Sequence, residues 1–291
     1  MNNKPMIQQG WLRALLFVLL GFPLTFVIGF GIDIAANGIY GNDFATAPVD
    51  IQFFLKDYVI KNIAIIFIVW LFRVFIDRET FYSLGFEWKG HQLDAWTGLF
   101  GSLMILFVGS LILVVNKNLY FTNAFFNFSD FAAGIVLFII VAFIEEIVFR
   151  GYLLNNLLQS INQWWALIIT AAVFAIMHIQ NNHADILSAI NILIAGLVLG
   201  INYIYTKNLW FSIFFHFGWN FFQGSVLGYP VSGIDVGSGI MQQSLNGAER
   251  LTGGNFGFEG SIFCTSLLAF MLIIFSWRFS SNKINTVKEE I

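Results

Sequence analysis

The second half of the chain holds polar side chains that can do chemistry inside long apolar segments. There are six of them: Glu145, Glu146, Arg150, His178, His216 and Asn220. A charged side chain near the centre of a bilayer costs at least about 2.5–3.5 kcal/mol, and an ionisable residue there is a functional candidate by default. Together, the six residues predict one buried polar site.

Helix geometry predicts how these side chains are arranged. Glu146 and Arg150 are four residues apart, so they share a helix face and can pair, whereas Glu145 is rotated by about 100° and lacks that partner. His216 and Asn220 also lie four apart and point the same way. At about 1.5 Å per residue, both histidines, Glu145 and Asn220 can reach a common depth in the membrane.

This set of groups suits the hydrolysis of an amide. A glutamate and a histidine together can polarise a water molecule, with the carboxylate as general base. A second histidine and an asparagine amide can donate hydrogen bonds to an oxyanion as it develops. Such a site needs no nucleophilic serine or cysteine.

The same side chains also fit a metal site with two histidines and one carboxylate. In that alternative Glu145, His178 and His216 hold a divalent ion such as zinc, and the ion activates the water. The residue types do not separate the two mechanisms, so the cofactor stays open.

Structural roles are the alternative for several polar residues. A single membrane histidine can serve only as an interhelical hydrogen-bond partner, and a Glu–Arg pair can serve only to stabilise the helix bundle. His183 and His91 lie in polar segments and are expected to be solvated. Asn191 is expected to bridge helices rather than line the site, and the lone Cys264 to be a small apolar residue.

The elements that position the site must be membrane helices. Hydrophobic residues make up 58% of the 291-residue chain and charged residues 11%, whereas soluble domains carry about 25% charged residues. An open strand edge is not stable in lipid, so the expected fold is an all-α, polytopic transmembrane bundle. About eight segments approach the roughly 20 residues that a span needs: 11–32, 58–76, 96–116, 131–158, 164–180, 185–205, 209–227 and 260–279.

The distribution of Lys and Arg orients the bundle with both termini inside (N-in, C-in). Nine basic residues then lie on or near the cytoplasmic face: Lys4, Arg13, Arg73, Arg78, Lys89, Lys207, Arg278, Lys283 and Lys288. Four lie on the opposite face: Lys56, Lys61, Lys117 and Arg250. The net charge of −3 offers no basic surface for nucleic acid.

Three segments follow from this organisation. Residues 1–129 form an N-terminal scaffold of three spans, residues 130–228 a catalytic core of four spans, and residues 229–291 an outer loop, the last span and a short cytoplasmic tail. Residues 33–57 and 228–259 are predicted to be exposed outer loops.

Three short motifs carry a resemblance to a known family. Glu145-Glu146-x-x-x-Arg150, Phe174-x-x-x-His178 and His216-x-x-x-Asn220 follow one another on successive apolar segments. They resemble the signature motifs of the CPBP family, the CAAX prenyl proteases and bacteriocin-processing or bacteriocin-immunity proteins, also called the ABI family. The resemblance covers about residues 130–228.

The resemblance implies a role for each motif position. Glu145 is expected to activate water with help from His178, and His216 and Asn220 to stabilise the oxyanion. Glu146 and Arg150 are expected to act as the pair that orients the fourth helix. The family is often described as metalloproteases, although some members are described as metal-independent glutamate proteases.

The expected function is therefore an intramembrane endopeptidase acting on a membrane-associated or lipid-modified peptide or protein. Its partners are this substrate and the lipid bilayer, and in a bacterium it would lie in the plasma membrane. The main alternative is a non-proteolytic membrane scaffold or bacteriocin self-immunity protein. A proton-coupled transporter is a further alternative, although the chain lacks the paired, broken spans of a two-half transporter.

Overall fold

The computed structural model describes residues 4–40, 51–237 and 239–289. Most of these residues are helical, and each of the predicted spans corresponds to a helical run. We label these runs in chain order: α1 (Gly10–Leu16, Phe17–Gly21 and Phe22–Tyr40), α2 (Ile51–Leu71 and Phe72–Asp77), α3 (Gln92–Val115), α4 (Phe128–Glu146, Ile147–Leu154 and Asn155–Leu157), α5 (Gln163–His178), α6 (Ile186–Ile201 and Tyr203–Thr206), α7 (Trp210–Asn220 and Phe221–Val226) and α8 (Ile262–Glu289).

Several of these helices are suited to a bilayer. Within the described residues, five are long and apolar enough to cross a membrane: Gly10–Ile32, Gln92–Val115, Phe128–Leu157, Ile186–Thr206 and Ile262–Ser281. The protein is a multi-pass integral membrane protein, as the composition predicts. The count of eight spans and the N-in, C-in orientation stay predictions.

Side chains at the helix starts fix where the site helices begin. The Asn127 side chain accepts hydrogen bonds from the backbone of Ser129 and Asp130 at the start of α4. Asn162 accepts from Trp164 N–H at the start of α5. Asp185 caps α6 in a reciprocal capping box. Such caps satisfy backbone N–H groups that have no partner within the helix.

The predicted outer loop at 33–57 is wrong at both ends. Helix α1 continues to Tyr40 and α2 begins at Ile51, so residues 33–40 and 51–57 are helical, and the rest of the predicted loop lies outside the described residues. The segment 51–71 is mostly apolar, and its few polar residues are separated along the chain. A helix in a membrane accommodates such separated polar residues.

The connections α3–α4 and α7–α8 contain a small sheet that the all-α prediction missed. Strand β1 (Leu119–Ala124) precedes α4, and β2 (Met241–Leu245) lies between α7 and α8. They pair antiparallel from Leu119–Leu245 to Ala124–Met241, with an irregularity after Phe121. Strands are compatible with a membrane protein here because they lie in the connections between helices and not in the spans.

A buried ionic cluster joins the first two helices to α4. Asp77 is 0% exposed and accepts hydrogen bonds from Arg13 and Arg73 at 3.1 and 2.8 Å. Tyr152 and Asn156 of α4 contact the same carboxylate. Arg13 and Arg73, assigned above to the cytoplasmic face, are therefore buried partners of Asp77, which offsets the cost of removing their charge from water.

Close helix packing places α7 beside α3. A Cβ atom added to Gly98 of α3 would collide with the backbone carbonyl of Phe211, and one added to Gly218 of α7 would collide with Ser102 Oγ. Small residues at such contacts allow helix backbones to approach closely in a membrane. This contact positions α7, which carries two of the predicted site residues.

We expect Gly98→Ala to lower the unfolding temperature of the purified protein in detergent, because the clash involves backbone and overpacking typically costs about 1–3 kcal/mol. Gly29→Ala is the matched control, since no atom lies within 4 Å of its added Cβ. Thermal unfolding followed by intrinsic fluorescence compares the two. Equal unfolding temperatures for both variants would contradict the close contact of α3 with α7.

Candidate active site

A cavity of about 660 Å³ lies among the helices. Its walls come from α1, α2, α4, α5, α6, α7 and from residues 228–260, which we call the outer segment. Most lining side chains are apolar, including Phe22, Phe26 and Phe30 of α1. Four of the six predicted site residues line it: Glu145, His178, His216 and Asn220.

The carboxylate of Glu145 faces both histidines. Its Oε2 atom lies 3.9 Å from His178 Nε2 and 3.9 Å from His216 Nε2. This oxygen is buried and accepts no hydrogen bond from the described residues. The gap between the three atoms is longer than a direct hydrogen bond, and a bridging group such as water can fill a polar gap of this kind.

Glu146 contacts the His216 ring at the nitrogen that does not face Glu145. His216 Nδ1 lies 2.8 Å from Glu146 Oε1, and Arg150 Nη1 donates to the same oxygen at 2.9 Å. Because the carboxylate paired with Arg150 is an acceptor, the network assigns the proton to His216 Nδ1. In the neutral ring, Nε2 then directs a lone pair towards Glu145.

His178 is oriented in the same way by its own helix. Its Nδ1 lies 2.8 Å from the carbonyl oxygen of Phe174, and a carbonyl can only accept, so Nδ1 carries the proton. The other nitrogen, Nε2, is left to face Glu145. With both rings neutral, each Nε2 is an acceptor atom 3.9 Å from Glu145 Oε2, and such a surrounding favours a group that donates protons or carries positive charge.

Glu146 and Arg150 do not line the cavity, although both were predicted to belong to the site. They are 0% and 1% exposed. Arg150 also donates to the Gly196 carbonyl of α6 at 3.0 Å and lies over the Phe174 ring at 4.8 Å. The pair therefore connects α4, α5, α6 and α7 behind the cavity wall. The π-helical turns of Ile147–Leu154 begin immediately after Glu146, and π-turns are frequent at functional sites.

Asn220 completes the predicted set. It is 6% exposed, lines the cavity and lies one helical turn beyond His216 on α7. Like Glu146, it directly precedes a π-helical stretch, Phe221–Val226.

The two glutamates, the two histidines and Asn220 all lie within one segment that matches a known family. Residues 127–222 match the model of the family described as Type II CAAX prenyl endopeptidase, Rce1-like. This segment is therefore similar to the CAAX proteases of the CPBP family, and we call it the CAAX protease domain. The match spans roughly a third of the chain and confirms the resemblance that the motifs predict. Comparisons with curated proteins and with solved structures give no significant match.

Two titratable residues outside the CAAX protease domain, Tyr58 and Glu259, line the same cavity, and sequence analysis missed both. The Tyr58 hydroxyl of α2 lies 3.4 Å from Glu145 Oε1. Glu259, in the outer segment, is 5% exposed and lines the cavity. Glu259 was detectable as an acidic residue in the apolar stretch that leads into the last span, whereas nothing in the sequence around Tyr58 distinguishes it from other aromatic residues.

Burial raises the pKa of the Glu259 carboxyl above its usual value, and hydrogen bonds from Ser232 and Trp219 partly offset that rise.

Asn191 has a structural role. Asn191 bridges α6 to Glu259 O, Ser261 O and Thr265, which agrees with the bridging role expected for it.

A zinc ion does not match the arrangement of these side chains. Tetrahedral zinc with ligand distances of about 2.0–2.2 Å requires donor atoms about 3.4 Å apart, whereas Glu145 Oε2 lies 3.9 Å from each histidine nitrogen. In the described part of the chain, no group of three or more His, Cys, Asp or Glu side chains is arranged to hold a metal ion. The donor types suit zinc, but their spacing does not.

We expect Arg150→Met to destabilise the CAAX protease domain, because it leaves the Glu146 carboxylate buried without its cation. Breaking a buried ion pair on one side typically costs about 3–5 kcal/mol, whereas replacing both partners is far better tolerated. The double variant Glu146→Gln/Arg150→Met should therefore unfold at a higher temperature than Arg150→Met alone. A double variant as unstable as the single one, in thermal unfolding of the detergent-solubilised protein, would contradict this account of the pair.

Proposed function

We propose that this protein is an intramembrane endopeptidase that hydrolyses a peptide bond with a water molecule activated by Glu145. One arrangement supports this function above all others: Glu145 Oε2 lies 3.9 Å from the Nε2 atoms of both His178 and His216 at the wall of a buried, mostly apolar cavity. A water placed between these atoms finds acceptors for its protons, and a family of endopeptidases matches the segment that carries all three residues.

In the first step Glu145 takes a proton from the water while the water oxygen attacks the carbonyl carbon of the scissile bond. General bases of this kind contribute about 10²–10⁴-fold to rate. His178 is the second acceptor at the water position and keeps the water oriented. The tetrahedral intermediate collapses when the C–N bond breaks, and the proton held on Glu145 passes to the leaving nitrogen.

The negative oxygen of the intermediate needs donors. Asn220 offers its amide, and His216 offers Nε2–H in the form whose ring already carries a proton on both nitrogens before the water attacks, because Nδ1–H is directed at Glu146. The Glu146 carboxylate at 2.8 Å stabilises such a charged ring. Glu146 and Arg150 thus act through His216 and not on the substrate, which agrees with their position behind the cavity wall.

The cavity lining indicates the class of substrate. Aromatic and aliphatic side chains, contributed by α1, α2 and α4 and by the other elements around the cavity, form most of its lining, and such a surface favours a hydrophobic or lipid-modified segment over a charged soluble peptide. We therefore propose a membrane-associated or lipid-modified peptide or protein as the substrate.

We expect Glu145→Gln and His178→Ala to lower kcat by about 10²–10⁴-fold on hydrophobic and prenylated peptides, because the first removes the general base and the second removes an acceptor for a water proton. His183→Asn is the matched control: His183 is exposed, and asparagine tolerates its backbone angle of φ 60°. Cleavage is measured by mass spectrometry with purified protein in detergent, with and without a zinc chelator.

Activity that is lost in both variants and survives the chelator supports the glutamate mechanism. Loss with the chelator as well would contradict it and favour a metal. Cleavage by both variants at the wild-type rate would exclude these residues, and no cleavage of any peptide by the wild type would favour the scaffold or immunity alternative.

We expect Tyr58→Phe to lower kcat by about tenfold with little change in KM. The hydroxyl at 3.4 Å from Glu145 Oε1 helps to keep Oε2 directed at the histidines, and a hydrogen bond to a charged group is worth about 1.5–3 kcal/mol at good geometry. Tyr203→Phe is the control, because it loses a buried hydroxyl bond to Leu84 O and does not line the cavity. Equal rates for the two variants would exclude a role for Tyr58 in orienting Glu145.

A further inference from the structure

Glu259 is an acid buried among apolar helices, outside the CAAX protease domain. It is 5% exposed and lies in the short helix Phe258–Gly260. Within the described residues it forms no ion pair with Lys or Arg, and its hydrogen bonds come from neutral donors. A carboxylate removed from water costs several kcal/mol unless its oxygens are well satisfied, so these donors must offset a substantial penalty.

One oxygen of Glu259 contacts the helix that carries His216 and Asn220. Trp219 Nε1 donates to Glu259 Oε1 at 2.9 Å. Trp219 directly precedes Asn220 and stacks on Phe215, the neighbour of His216, with ring centroids 6.0 Å apart and an interplanar angle of 15°. Glu259 therefore fixes the part of α7 to which both proposed oxyanion donors belong.

The other oxygen contacts the outer segment. Ser232 donates to Glu259 Oε2 twice, from its backbone N–H at 2.6 Å and from its hydroxyl at 2.9 Å. The carbonyl of Ser232 accepts from Asn181, in the turn that follows His178, at 2.9 Å. The backbone N–H of Ser232 is thus bound to Glu259, and its carbonyl to the turn that follows the helix carrying His178.

Ser232 adopts a backbone conformation that costs energy. Its φ of 48° lies in the left-handed region, which non-glycine residues adopt only when their surroundings enforce it. The residues on either side form a wall of the cavity: Val231, Ser232, Ile234 and Val236. Glu259 accepts hydrogen bonds from Ser232, the residue of this wall whose backbone conformation costs energy.

We propose that Glu259 is a positioning residue that holds the wall 231–236 and helix α7 together as one unit, and thereby sets the shape of the cavity that receives the substrate. This inference rests on the endopeptidase function proposed above. Glu259 does not act as a second base, because both of its oxygens already accept hydrogen bonds from the protein. Its effect reaches the substrate through the wall and through Trp219.

Glu259→Gln tests the proposal directly. Glutamine has one acceptor oxygen where glutamate has two, so its amide nitrogen must face either the Trp219 donor or the Ser232 donors. Glu249→Gln is the matched control, since Glu249 lies in the same outer segment and is exposed. Hydrogen–deuterium exchange followed by mass spectrometry compares backbone exchange of residues 231–236 with that of strand β2 (Met241–Leu245).

We expect Glu259→Gln to speed the exchange of 231–236 by about tenfold, the change that loss of one hydrogen bond to a charged group produces, and to leave β2 unchanged. Glu249→Gln should leave both segments unchanged. Unchanged exchange at 231–236 in Glu259→Gln, or equal acceleration in β2, would overturn the proposal. If Glu259→Gln does not fold, Ser232→Ala, which removes only the hydroxyl bond, should give a smaller acceleration confined to 231–236, and no acceleration would overturn it.

The kinetic measurement separates positioning from a general structural role. With a substrate that fills the cavity, we expect KM to rise at least about fivefold in Glu259→Gln while a short peptide that reaches only the catalytic residues keeps its KM. Equal KM changes for both substrates would contradict the wall's role. If the wild type cleaves neither, the proposed endopeptidase function fails, whereas the exchange measurement still decides whether Glu259 holds the wall.

Discussion

The buried carboxylate of Glu146 is the point on which the site depends. Its Oε1 atom accepts from Arg150 of its own helix and lies 2.8 Å from His216 Nδ1 of α7, while Arg150 reaches the backbone of α6. In surroundings without water, each of these groups would be costly alone, and together they offset one another's charge. The mutual satisfaction of these groups fixes which nitrogen of His216 faces Glu145, so a residue that does not touch the cavity decides the chemistry within it.

The CAAX protease domain is not sufficient to build this cavity. Residues 127–222 supply Glu145, the two histidines and Asn220, but α2 contributes Tyr58 and the outer segment contributes Glu259 and the wall 231–236. The cluster around Asp77 connects α1 and α2 to the end of α4 by hydrogen bonds from both sides. The regions beside the domain thus supply a large part of the cavity wall.

Much of the site was predictable from local spacing. A four-residue interval in a helix places two side chains on one face, so the Glu146–Arg150 pair follows from geometry alone. The apolar runs around the polar residues predict burial, and the motif order predicts the family. The outer loop at 33–57 was predicted wrongly because acidic residues were taken as a sign of exposure, although a helix tolerates separated polar residues along its length. The small sheet was missed because its strands are short and lie in connections with little periodicity.

The sequence by itself determined the membrane class, the helical segments, the resemblance of residues 130–228 to a family and the identity of the polar residues, because apolar run length and helical spacing are local properties. Only the tertiary structure decided which oxygen of Glu145 faces the histidines, that Glu146 stands behind the wall, and that Tyr58 and Glu259 join the site. These depend on contacts between residues separated by 33 positions (Glu145 and His178) to 87 positions (Tyr58 and Glu145) in the chain, and no local pattern encodes such pairings. The physical reason is that a buried polar group must find its partner wherever the packed helices bring one within hydrogen-bond distance.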